Sequence, residues 1–262
     1  MRPRIDGTMT VRELILPRSG WLECPDRGRV RWLAVVTVLG MALYGFSVGY
    51  WREPLMAVYV AVKFPLLILL TLGCNGLLNG LLGTLLGGGF TFRESLLALL
   101  SASALAAVIL GSLAPITFLM AWNAPPPDSP DAGISHATYL VAHTFLIGFA
   151  GITANVHLHK LLLDRATTPA AATATLLAWL AGNGIVGSQF AWIFRPFFGS
   201  PNLKVEFLRE NAMRGGFHEG LWNALNRITG GYPLPALVIL LAILSIPVAT
   251  AIQSHHQPKA NP

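Results

Sequence analysis

The chain reads as an all-α, polytopic integral membrane protein, a helical bundle of about six transmembrane helices plus an interfacial amphipathic helix. Three observations predict this. Of 262 residues, 53% are apolar and only 11% charged, where a soluble domain carries about 25% charged residues. Mean hydropathy is +0.58. Several apolar runs exceed the roughly 18 residues of a spanning helix, and they lack the polar–apolar alternation of a membrane β-barrel. Cys24 and Cys74 form neither a disulfide framework nor a CxxC metal motif. The net charge of +6 fits basic tails beside anionic lipid headgroups, so the bilayer is the expected partner and nucleic acid is not.

Residues 1–31 form a basic cytoplasmic tail with seven Arg and four acids. The tail lacks the apolar core of a cleavable signal, so the first apolar helix is expected to serve as the insertion signal. Within the tail, VRELILPRSGW (11–21) suits either a helix lying on the membrane surface or a tethered coil. The first span covers 32–51, with Trp at both ends as interface anchors and a GxxxG at Gly45 and Gly49. Residues 55–63 read as an interfacial lead-in, with Lys63 snorkelling toward the headgroups; whether this piece belongs to the second span stays open.

The second span, 65–87 (PLLILLTLGCNGLLNGLLGTLLG), is the centre of the reading. Gly73, Gly76, Gly80, Gly83 and Gly87 are spaced 3, 4, 3, 4, which puts them within about 80° of one another on a helix. Such a seam admits a second backbone, and close packing drives association where lipid is as apolar as Leu. A hinge or substrate path is the alternative. The third span, 95–122, repeats small residues at Ala104, Ala107, Gly111 and Ala114 and is expected to pair with that seam. A proline-rich loop (123–133) follows, then a fourth span at 136–156, a fifth at 171–194, a long polar loop at 195–232, a sixth span at 233–252 and a disordered tail at 253–262.

Charge orients the spans. With an even number of them, the side bearing the amino terminus carries eleven Lys or Arg and the other side six. Arg27, Arg29 and Arg31 abut the first span, so both termini are placed in the cytoplasm of an inner-membrane protein.

His136 and His143 lie seven apart on one face of the fourth span. Two bundle histidines can hold haem or a metal, but no other span offers a histidine. A buried hydrogen-bonding role for His143 is therefore expected, with no metal and no cofactor. Asn79, His143, Asn155 and Asn183 mark a candidate polar path between the second, fourth and fifth helices, with Gly182-Asn183-Gly184 as a candidate helix break. Interhelical hydrogen bonding is the simpler account. In the 195–232 loop, Trp192, Phe197 and Phe198 read as an interfacial cluster. Phe217, Leu221, Ala224, Leu225 and Ile228 form an apolar stripe at helical spacing. Arg195, Glu206, Arg209, Glu210, Arg214 and Glu219 then form a candidate partner surface. The loop's acids have no HExxH, GxSxG or P-loop beside them, so catalytic residues are not assigned.

The tail element RxxxxPRxxW (12–21), the KFPLLILLTLG entry to the Gly-rich helix (63–73), SLAP at 112–115 and RPFFGSP at 195–201 together resemble a bacterial branch of the Yip1-like multi-spanning membrane proteins. The resemblance implies membrane organisation and protein partners, and no catalytic residues. Such proteins usually have five spans, against six counted here. The sequence thus points to a non-enzymatic scaffold, assembly factor or accessory subunit of a membrane complex, with membrane-protein partners or a homo-oligomer. A small-solute transporter or channel is the alternative.

Overall fold

The computed structural model describes residues 11–15, 22, 27–199, 203–219 and 222. The sixth span, the carboxy-terminal tail and the apolar stripe beyond Phe217 lie outside them. Among the described residues every regular element is a helix. These are α1 (Val11–Ile15), α2 (Arg27–Tyr50), α3 (Pro54–Leu85), α4 (Phe92–Asn123), α5 (Ala132–Leu163) and α6 (Pro169–Phe194). Five of them, α2 to α6, are long and apolar enough to cross a membrane. The chain runs up and down. One end of the bundle carries the start of α2 and the α3–α4 and α5–α6 turns; the far end carries the other connections and residues 195–199 and 203–219.

Three boundaries differ from the sequence reading. Residues 55–63 are not a separate lead-in, because α3 is one 32-residue helix with Pro65 inside it. At 1.5 Å per residue it is roughly 48 Å long. Apolar packing on both sides of Pro65 holds the helix together across the missing amide, as neighbours do for prolines in membrane helices. Likewise α5 runs on to Leu163, so His157, His159 and Lys160 belong to the helix and not to a loop. Finally, α6 is unbroken through Gly182-Asn183-Gly184.

Helix α2 packs on both α3 and α4, α4 on α5, and α6 on α3 and α5. Glycines set the closest of these contacts. A Cβ at Gly45 would lie 2.6 Å from the carbonyl oxygen of Val60 on α3, and one at Gly49 2.6 Å from that of Met56. At Gly40 it would collide with the Ala107 carbonyl on α4, and at Gly111 it would stand 3.0 Å from the Cα of Gly40. The small-residue stripe of α4 therefore faces α2, not the second span's seam. The reason is geometric: a tight turn joins α3 and α4, so they meet near that turn, and α2 takes up the stripe beyond it.

The α3 glycines divide by position. A Cβ at Gly80 would lie 3.0 Å from the Cα of Phe92, and Gly76 faces Leu96, so these two do pack on α4. Gly83 sits between Ser95 and Trp179, 3.1 Å from each. Gly73 has nothing within 4 Å among the described residues, so it packs against none of the other long helices. Gly87 is not a helical packing residue either: its φ of +71° places it in the turn after α3, a conformation glycine adopts at little cost.

That turn joins the two hairpins. The Thr167 amide donates to the Gly87 carbonyl at 3.0 Å, and a Cβ at Gly89 would strike the Arg165 carbonyl. Glu94 closes a capping box on Thr91, accepting its amide at 2.8 Å, and pairs with Arg165 at 2.8 Å. Thr168 caps α6 by accepting from the Ala171 amide at 3.1 Å, with Pro169 as its first residue. The tail does not simply trail away. Leu14 of α1 is buried with Leu33, Ala104 and Leu105, and Leu22 is buried against the α4–α5 core.

Candidate functional site: an amide-lined cleft and a sealed far end

Two groups of buried polar residues occupy different parts of the bundle. The first centres on α3 and α6. Asn75 and Asn79, one turn apart on α3, each donate a side-chain amide to the Asn183 carbonyl oxygen, at 3.1 Å and 3.2 Å. Gly182 permits this: a Cβ there would lie 2.8 Å from the Asn75 side chain. Trp179, one turn earlier on α6, donates its indole N–H to the Asn79 backbone carbonyl at 2.7 Å. Asn79 is fully buried, and its side-chain oxygen has no partner among the described residues.

Beside this triangle lies a cleft of about 340 Å³ between α3, α4, α5 and α6. Asn155 and Asn183 both line it, with Thr71 and Ser103; the rest of the lining is apolar or glycine, and no ionisable side chain contributes. Thr71 donates to the Leu67 carbonyl at 2.7 Å and Ser103 to that of Leu99 at 3.0 Å. Asn155 donates its amide to the Gly151 carbonyl of its own helix at 2.8 Å.

The second group seals the far end. The Tyr44 hydroxyl and His143 Nδ1 are 2.6 Å apart. Tyr139 donates to the Ser47 carbonyl at 2.7 Å, and the Ser47 and Thr117 hydroxyls are 2.7 Å apart. Trp51 donates to the Pro125 carbonyl at 3.0 Å. His143 does not reach this cleft: it is buried, edge-on to Tyr44 and Tyr139 and tilted against Phe198, and absent from the cleft lining. The expected four-residue polar path is thus split. Asn155 and Asn183 meet in the cleft, Asn79 stands behind Asn183, and His143 belongs to a separate network.

Residues 195–199 and 203–219 fold back over that far end. Phe197 and Phe198 are half-buried and pack against the core around Tyr44, Val48 and Val60, with Phe197 edge-on to Phe64. Lys63 does not snorkel. It is fully buried, donates to the Pro196 carbonyl at 2.8 Å, and lies over the Phe197 and Phe207 rings. A buried ammonium needs such partners, since desolvating a charge costs several kcal/mol. Arg52 donates to the Leu203 carbonyl at 3.2 Å. Arg195 stacks on Trp192, 3.5 Å from the ring centre, and burial followed by the nearby Arg209 charge lowers its pKa. Of the expected partner surface, Glu210, Arg214 and Glu219 are exposed, while Arg195, Glu206 and Arg209 are half-buried.

Sequence reasoning missed the Lys63 seat, the Tyr44–His143 pair and the Glu94–Arg165 link. The Thr91-x-x-Glu94 spacing was the one available signal, a capping box just before an apolar run. The other contacts join residues about 70 to 130 positions apart and leave no local pattern. Among the described residues no group of three or more His, Cys, Asp or Glu could hold a metal ion. Comparison with known proteins finds no matching family model, no similar curated protein and no similar solved structure.

Proposed function

We propose that the chain is a non-enzymatic, multi-pass inner-membrane protein that acts as a scaffold, assembly factor or accessory subunit of a membrane complex. The observation that carries this reading is the folded segment made of residues 195–199 and 203–219. Lys63, Arg52, Trp192 and Gln189 hold it to the bundle, and it presents Glu210, Arg214 and Glu219 to solvent. An ordered surface with fixed charges loses little entropy on docking a partner. In this reading both termini are cytoplasmic, the segment faces outward, and the Yip1-like plan supplies the general architecture. Most hydroxyl groups of the bundle donate to carbonyls of their own helix, and Asn75, Asn79 and Asn183 bond to one another, which favours a packing role over a continuous hydrated path.

The experiment is native electrophoresis of detergent-extracted membranes, with Glu210→Arg and Arg214→Glu together. The expected result is loss of a higher-mass assembly with the protein itself intact. An unchanged assembly, combined with solute flux in proteoliposomes, would favour the transporter reading, for which the Asn155–Asn183 cleft is the supporting feature.

A further inference from the structure

We propose that the cleft between α3, α4, α5 and α6 is a binding site for a neutral, mostly apolar molecule bearing one hydroxyl group, seated with that group against Asn155 and Asn183. Size, lining and wall shape each bear on this. About 340 Å³ lies in the range of small-molecule sites, which are mostly apolar with a few convergent polar groups. With no ionisable side chain in the lining, a charged ligand would give up its hydration without a counter-charge.

The polar groups specify the ligand further. Asn183 accepts two amide bonds through its oxygen, and its own NH₂ has no partner among the described residues, so a donor remains for the cleft. Asn155 spends one N–H on Gly151, so its other N–H remains as a donor and its oxygen as an acceptor. Thr71 and Ser103 have committed their protons to their own helices and likewise offer only lone pairs. Amide N–H donors on both asparagines beside several acceptor oxygens suit a hydroxyl, which donates one proton and accepts through its oxygen. A plain acyl chain would leave these groups unsatisfied in an apolar setting, at a cost that membrane interiors avoid.

Among the described residues the wall leaves room. A Cβ at Gly151 or Gly184 would meet no described atom within 4 Å, and both glycines line the cleft. Gly148, one turn before Gly151 on α5, is equally open but lies outside the lining.

The test uses purified full-length protein and three probes of equal chain length: dodecanol, dodecane and dodecanoate. Binding is read as the shift in thermal unfolding midpoint against probe concentration. Dodecanol should stabilise the wild type and Gly148→Leu, dodecane less, and dodecanoate at alkaline pH not at all. Gly151→Leu and Gly184→Leu should keep their unliganded midpoints and weaken dodecanol binding at least tenfold. Asn155→Leu, which breaks only a bond within its own helix, should weaken dodecanol about threefold, the worth of one hydrogen bond in a bundle, and leave dodecane unchanged. Equal stabilisation by all three probes overturns the proposal. So does a dodecanol response in Gly151→Leu and Gly184→Leu that matches Gly148→Leu. If the leucine variants do not fold, the Asn155→Leu comparison of dodecanol with dodecane decides alone, and no difference between the probes overturns the proposal.

Discussion

Along α2, Gly40, Gly45 and Gly49 press backbone against backbone: a Cβ at Gly45 or Gly49 would stand 2.6 Å from a carbonyl oxygen of α3. On α5 and α6, a Cβ at Gly151 or Gly184 would meet nothing within 4 Å among the described residues. The first set draws three helices into dispersion contact, the main source of association between apolar helices in lipid. The second set leaves a cleft with two amides in its wall. Glycine content alone does not distinguish them, since each set marks a place where another backbone could approach closely. What distinguishes them is whether another helix arrives at that face.

The contrast breaks most readily on the α2 side. Gly45→Leu is expected to cost about 3 kcal/mol or more, because backbone lies in the way and cannot move aside cheaply. Loss of monodisperse protein, or a large fall in its unfolding midpoint, is the measurement; a midpoint near wild type would mean that α2 does not pack there. Gly80→Leu and Gly73→Leu sharpen the same point within one helix. The first should cost about 2 kcal/mol against Phe92 and the second less than about 0.5 kcal/mol, and equal losses would show the α3 seam to be uniform after all.

At the turn end, Glu94→Ala removes both the capping box and the Arg165 partner, for an expected loss of about 2 kcal/mol. Glu94→Gln keeps a capping acceptor and should recover roughly half of it. No gain from Gln over Ala would assign the whole effect to the ion pair. A smaller loss than at the turn end is expected in the cleft wall. Asn183→Ala loses two amide bonds, about 1 kcal/mol in total at membrane-interior values. Thermal unfolding of Asn183→Ala with and without Asn75→Leu tests this: additive losses would show that the two residues are not coupled.

The long apolar helices were legible from the chain alone because hydropathy is summed over some twenty residues and tolerates errors at either end. The Thr91-x-x-Glu94 capping box is a local pattern present in the sequence, whereas Gly87 reads as part of the helical seam and belongs to the turn after it. The seam was legible only as a property of one helix. Gly76 and Gly80 do meet α4, yet Gly111 meets Gly40 and Gly73 meets nothing among the described residues, because a stripe of small residues says where a neighbour can come but not which neighbour comes. Phe197 and Phe198 illustrate the same limit. Their position after a span matches an interfacial anchor as well as a core plug, and only the fold-back of the segment separates the two.

Composition and run length by themselves therefore determined a helical chain with spans long enough for a bilayer, and the local turn chemistry that ends them. The tertiary structure decided which faces touch, that Lys63 is buried against Pro196 rather than drawn to the headgroups, and that His143 is sealed away while Asn155 and Asn183 share one cleft. The physical reason is range. Helix formation and membrane insertion depend on neighbours along the chain, whereas these contacts close over long separations and depend on how whole helices pack.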